Sequence, residues 1–276
     1  MNLRRLTLSD ARACESVALE HGWEVGEERW RLMLGLGDGW GSFAPDGHLV
    51  GTTFLFSYER RVALVAMVLV REAFGRQGLG RRLVEQAMTD APPQTYLYAT
   101  SQGRGLYERL GFASIDEDLA RFSGTPRDVS VDQSLLLRPL EQADLPSAIA
   151  LDADAFGASR AAVVSGLHGC SARALGAWRA GRLLGYGLAT HVGGHVAIGP
   201  VAALEEAAGV QLVHALAQGH ALPVRIDAPA GRASLGDWAV RAGLAREPPV
   251  PLMALGGRVL PGRRERIVAV ASRGLG

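Results

Sequence analysis

Val68-Leu69-Val70-Arg71-Glu72-Ala73-Phe74-Gly75-Arg76-Gln77-Gly78-Leu79-Gly80-Arg81 runs from an apolar strand through a glycine-bearing turn into a helix. Val62–Val70 is apolar on both faces, as a central strand must be. The predicted helix runs from Gly80 to Thr89, with Leu79, Leu83, Ala87 and Met88 as its apolar stripe. Helix N-termini leave backbone N–H groups unpaired and attract phosphate. Gly78 and Gly80 carry no Cβ and let a ligand approach the backbone closely, while Arg76, Arg81 and Arg82 add positive charge. On spacing alone, an anion-binding turn and an ordinary tight strand-to-helix connection stand level.

Two phosphate-loop types fail on the letters. A Walker loop needs Lys and then Ser or Thr after its last glycine, where Arg81 and Arg82 stand; the chain contains no Lys at all. A Rossmann fingerprint needs a third small residue where Leu83 sits, and an acidic residue roughly 20 positions on that is missing. Outward from the turn, Leu3–Leu8, Trp40–Phe43 and His48–Tyr58 read as strands, and Ser9 or Asp10 caps a helix running to Gly22. Downstream, Thr95–Thr100 reads as a strand and Gly103–Leu110 as a helix stopped by Gly111.

The turn and the later stretch Leu106-Tyr107-Glu108-Arg109-Leu110-Gly111-Phe112 together resemble the GNAT superfamily of N-acetyltransferases. That family's turn reads Gln/Arg-x-x-Gly-x-Gly/Ala; Gly78-Leu79-Gly80 matches its glycines, while Gly75 stands where Gln or Arg is usual, with Arg76 beside it. The resemblance spans most of residues 1–123 and implies that Arg76, Gln77, Gly78, Leu79, Gly80 and Arg81 hold the pyrophosphate of acetyl-CoA. Val68, Leu69 and Val70 would line its pantetheine arm. Tyr107 would then be the catalytic residue, protonating the departing CoA thiolate with a phenol that is neutral at pH 7. Leu106 and Leu110 are expected to face the core and turn Tyr107 to the neighbouring side. The structural alternative is a partly buried Tyr bonded to a backbone carbonyl. Trp23 and Glu24 fall in a region that borders the acceptor site in this family and are candidate substrate contacts; each Trp taken singly also fits core packing. No carboxylate lies on Val62–Val70 to serve as general base, and an ordered water would suffice.

At 276 residues the chain exceeds the roughly 100–150 of a typical domain, which points to two. Leu137-Arg138-Pro139-Leu140 with Asp144 answers Leu3-Arg4-Arg5-Leu6 with Asp10, Gly185 answers Gly51, and Gly243 answers Gly111, in one order and at nearly constant offset. This is the mark of a duplicated fold, with a boundary near Ser123–Gln133. The expectation is therefore an α/β (α+β) protein of two GNAT-like domains, each a mixed, mostly antiparallel sheet flanked by helices. Residues 1–128 would be catalytic and would bind CoA when expressed alone. Residues 129–276 would form a degenerate repeat with a substrate-side or structural role: counting back from Gly209, which answers Gly80, Ala207 replaces Gly78 and Leu204 replaces Gly75, while Ala239 replaces Tyr107. The pattern looks like bacterial tandem GNAT proteins.

Hydrophobic residues make up 48% of the chain and the formal charge is +1, which excludes a disordered chain and gives no case for binding nucleic acid or a membrane surface. No apolar run approaches the roughly 20 residues of a bilayer span, and no secretory h-region opens the chain. Cys14 and Cys170 lack metal-ligand spacing and read as small buried hydrophobes; no metal is expected, and the compartment reads as cytoplasmic. The activity expected is acetyl transfer from acetyl-CoA to the amine of a small molecule or peptide by direct attack, by a monomer or homodimer. Alternatives are a non-catalytic acyl-CoA sensor and, further off, a dinucleotide-binding oxidoreductase.

Overall fold

Val62–Val70 is a strand over its whole length, and the first part of the fold is arranged around it. The computed structural model describes all of residues 1–276 and divides into two compact units: Met1–Ala113 with Met253–Arg258, and Ser114–Leu252 with Val259–Gly276.

Unit 1 contains β1 (Asn2–Arg5), α1 (Ala11–Leu19), α2 (Glu27–Leu36), β2 (Asp38–Phe43), β3 (Leu49–Tyr58), β4 (Val62–Val70), α3 (Leu79–Met88), β5 (Gln94–Tyr98) and α4 (Arg104–Arg109). Strands β1 to β4 pair antiparallel in sequence order, and β5 joins β4 in parallel. Glu59 and Arg60, both at positive φ, close the tight β3–β4 hairpin. Helix α2 has no strong sequence signal, being short with Gly35 inside it, and tertiary packing forms it: its fully buried Trp30 tilts onto Phe54 of β3, ring centroids 5.7 Å apart. Burying such a ring contributes about 2–3 kcal/mol.

Unit 2 contains β6 (Phe112–Gly124, from Ser114), β7 (Leu136–Pro139), α5 (Leu145–Phe156), α6 (Ala161–Gly169), β8 (Ser171–Arg179), β9 (Arg182–Val192), β10 (His195–Ala203), α7 (Glu206–Ala217), β11 (Val224–Pro229), α8 (Ala233–Arg241), β12 (Ala245–Leu255, to Leu252) and β13 (Ile267–Ala269). β7 to β10 repeat the antiparallel order and β11 pairs parallel with β10. The duplication reaches side-chain detail. Arg4 forks onto Asp10 (2.9 and 2.8 Å) and lies over Phe43; Arg138 forks onto Asp144 (2.6 and 2.9 Å) and lies over Trp178. Cys14 is buried as expected; Cys170 is exposed, because it follows the end of α6 instead of lying on its inner face.

The grouping of residues does not follow a cut at 128. Residues Leu119–Gly124 of β6 pair antiparallel with Val224–Pro229. Conversely, Met253 is fully buried in the unit 1 core with Tyr107 and Phe112, and the Gly256 N–H donates to the Gly111 carbonyl at 2.8 Å. A fragment of residues 1–128 thus lacks part of its own core and carries a strand without its partner, an aggregation template. We expect it to show no cooperative thermal transition and to elute as aggregate, where the full chain melts cooperatively; a cooperative melt of the soluble fragment would contradict this.

Candidate functional site

The connection from β4 to α3 departs from a plain tight turn. A short 3-10 segment, Glu72–Phe74, leads into Arg76 at φ +58° and Gly78 at φ +74°. Left-handed residues set between right-handed ones turn successive N–H groups to one side, making an anion-binding concavity. The N–H groups of Arg76, Gln77, Gly78, Leu79, Gly80 and Arg81 make no hydrogen bond within the chain; the first helical bond runs from the Arg82 N–H to the Gly78 carbonyl at 3.1 Å. Those donors sit at the positive end of α3. Gly78 is required for its backbone angle, since a Cβ there would meet nothing within 4 Å. Gly80 is also open: a Cβ would find only Leu106 Cδ2 at 3.7 Å and Val70 Cγ2 at 3.8 Å. That contact places both sequence motifs and the end of β4 together. Arg76 and Gln77 are exposed; Arg81 is spent on Glu85 at 2.8 Å.

Strand β4 is open on one edge beside this turn. Its pairing with β5 ends at Leu64↔Tyr96, so Val65 to Val70 have no partner strand on that side. Halfway along, the β3 register jumps between Thr52↔Leu69 and Phe54↔Ala66, and Met67 takes φ +52°. This bulge turns the Met67 carbonyl onto the buried Thr52 hydroxyl, which donates to it at 2.7 Å. Neither residue was legible in the sequence, because the apolar run of β4 continues unbroken through the bulge. Val68 and Val70 are half-buried and Leu69 is buried. His21 donates from Nε2 to the Val70 carbonyl at 3.0 Å, and Arg71 Nε donates to the Leu49 carbonyl at 2.9 Å, so both tie the strand end to its surroundings.

Tyr107 is more deeply buried than Leu106 and Leu110, which corrects the expected facing of α4. Its ring lies edge-on to Phe112 within the core cluster that includes Val65 and Leu97, and it fits only because residue 103 is glycine: a Cβ there would lie 2.7 Å from Tyr107 Cε2. Gly103 is thus a positioning residue that sequence reading passed over. Burial pushes the phenol up to about 12. Trp23 is 38% exposed and Glu24 is exposed, both in the loop after α1. No group of three or more His, Cys, Asp or Glu could hold a metal ion, and no helix is long and apolar enough to cross a membrane.

The fold that carries this site is shared with known proteins. Two models described as acetyltransferase (GNAT) domains match residues 42–114 and 148–269, together most of the chain. The chain belongs to the GNAT superfamily. It is a tandem member, and the superfamily supports acyl transfer as its general activity. An uncharacterized N-acetyltransferase of Bacillus subtilis (strain 168), YitH, is 28% identical over 261 residues, covering 92% of this chain and 91% of that protein. A candidate acetyltransferase of Pyrococcus horikoshii shares the fold with a TM-score of 0.83 at 19% identity, over 100% of this chain and 95% of that one. A tandem GNAT protein from the clavulanic acid biosynthesis pathway shares it at 0.59 and 14% identity, over 92% and 97%.

In the second GNAT unit the positions answering the site are changed. Only Leu204 and Glu205 link β10 to α7, where Arg71 to Gly78 link β4 to α3. Ala207 lies inside α7, so it replaces a loop residue with a helical one. Trp238 is fully buried, donating to His214 Nδ1 at 3.3 Å, and Ala239 is buried beside it.

Proposed function

We propose that unit 1 binds acetyl-CoA and transfers its acetyl group to the amine of a small molecule or peptide, with catalysis in the first half of the sequence and a substrate-side or structural role for the second. The observation that carries this is the row of unspent N–H groups from Arg76 to Arg81 at the end of the open β4 edge. Those donors suit the two phosphates of CoA, and Val68, Leu69 and Val70 offer the edge along which the pantetheine arm would pair. Acetyl-CoA would supply an activated acyl carbon. The neutral amine would attack it, the C–N bond forming as the C–S bond breaks; the amine's proton would leave to water, the sulfur would gain one from Tyr107, and solvent would return a proton to the phenol. Trp23 and Glu24 are the candidate acceptor contacts.

The pH dependence follows from the phenol. Its ionisation is raised from 10 to about 12, so the proton donor is intact throughout the working range and contributes no falling limb below pH 10. The rising limb belongs to the amine. Incubation with acetyl-CoA and an amine panel should release free thiol; tight CoA binding without thiol release would favour a non-catalytic acyl-CoA sensor. Gly78→Val forces a β-branched residue to φ +74° and should weaken CoA binding by about 2–4 kcal/mol, roughly 30- to 700-fold in Kd. Calorimetry on the folded variant checks it, and unchanged affinity would remove the turn from the cofactor site.

A further inference from the structure

In unit 2 the strand that answers β4 is covered where β4 is open. The correspondence is fixed by packing. A Cβ on Gly51 would meet the Leu69 carbonyl at 2.9 Å and Leu83 Cδ1 at 3.0 Å; one on Gly185 would meet the Ala202 carbonyl at 3.1 Å and Leu212 Cδ1 at 2.9 Å. Leu69 therefore answers Ala202 and Leu83 answers Leu212, so that Val68 falls against Val201 and Gly80 against Gly209. The β10–β11 ladder ends at Ile198↔Ile226, and the strands part as β4 and β5 do. The gap is not empty. Strand β13 pairs antiparallel with β10 at Val201↔Ala269 and Ala202↔Ile267, and the Val270 N–H donates to the Asp227 carbonyl of β11 at 2.9 Å.

The side chains agree. Gly209, whose counterpart Gly80 is open, has Val268 against it: a Cβ would stand 2.4 Å from Val268 Cγ2. A glycine that would give a ligand access instead admits the chain's own valine. The segment is seated firmly. Ile267 to Ala271 and Leu275 are buried, Arg232 Nε donates to the Ile267 carbonyl at 3.0 Å, and the buried Arg160 donates to the Gly276 carbonyl at 2.5 Å.

We propose that Ile267–Gly276 is a built-in occupant of the second unit's cofactor cleft, lying where unit 1 takes the pantetheine arm, so that each chain holds one acyl-CoA. A peptide strand offers the same alternating N–H and C=O groups as a pantetheine arm, which makes the replacement chemically direct. The proposal rests on the reading of unit 1 as the acyl-CoA site.

Amide hydrogen exchange on the full chain, with and without CoA, tests both separately. Amides 201–203 and 267–271 should exchange slowly without CoA and not change when it is added, whereas 68–70 and 76–81 should slow markedly. Fast exchange at 267–271, new protection at 201–203 on adding CoA, or two CoA per chain by calorimetry would overturn the proposal and leave unit 1 standing. No protection at 68–70 and 76–81 would overturn the reading of unit 1 and the correspondence with it. A variant pair checks the packing: Gly209→Ala should lower Tm by roughly 5 °C with CoA affinity unchanged, and adding Val268→Ala should restore part of that loss. Gly209→Ala at wild-type Tm would show that Val268 does not fill the place of the ligand.

Discussion

Arg160→Leu is expected to destabilise the protein by about 3–5 kcal/mol, because it strands a charge in the core of unit 2. Arg160 and Asp152 are both buried, and they meet as a fork: Nε donates to Oδ2 at 3.0 Å and Nη2 to Oδ1 at 2.8 Å. The fully buried Tyr186 hydroxyl adds a third donor to Oδ1 at 2.5 Å, and burial beside that carboxylate holds its ionisation well above the ordinary tyrosine value. Removing the guanidinium leaves Asp152 with the Tyr186 donor alone and releases the carbonyls of Leu275 and Gly276. The comparison that matters is the double variant Asp152→Leu with Arg160→Leu. Replacing a buried pair by apolar side chains removes the desolvation cost along with the attraction, so it should be less destabilised than Arg160→Leu alone. Chemical denaturation of the wild type, Arg160→Leu, Asp152→Leu and the double variant measures this. A double variant as unstable as the sum of its singles would mean that the residues act independently.

What the sequence made legible was local. The two-faced apolar run of β4, the glycines of the turn and the stop at Gly111 each act within a few residues, so strand, turn and helix could be read with small boundary shifts. The duplication was legible because Arg4 with Asp10 and Arg138 with Asp144 build the same clamp twice. What could not be read was set by partners distant in sequence. The bulge at Met67 depends on Thr52 across the hairpin, α2 depends on Phe54, and the regrouping of residues 114–124 and 253–258 depends on partners 100 or more residues away. At the second turn the residues do not correspond one for one: Ala207 and Leu204 count back to Gly78 and Gly75, but α7 begins early enough to leave almost no loop. The pairing of Asp152 with Arg160 gives no local signal.

Tyr107→Phe should lower turnover by about 10²-fold while leaving Tm and the acetyl-CoA KM close to wild type. The argument turns on the hydroxyl. It makes no hydrogen bond within the chain, so deleting it costs no internal partner. The ring's contacts, edge-on to Phe112 at 6.3 Å and against Gly103, survive in Phe. A purely structural tyrosine bonded to a carbonyl would instead lose about 1 kcal/mol and show it in Tm. Sulfur needs the donor only as charge builds there while the C–S bond breaks, which confines the hydroxyl's contribution to the transition state. Such a group shows in kcat and kcat/KM together and not in cofactor affinity. Steady-state kinetics of Tyr107→Phe with any accepted amine, alongside a thermal melt, decides the matter: wild-type turnover would remove Tyr107 from the chemistry, and a fall in Tm matching the fall in rate would make its role structural.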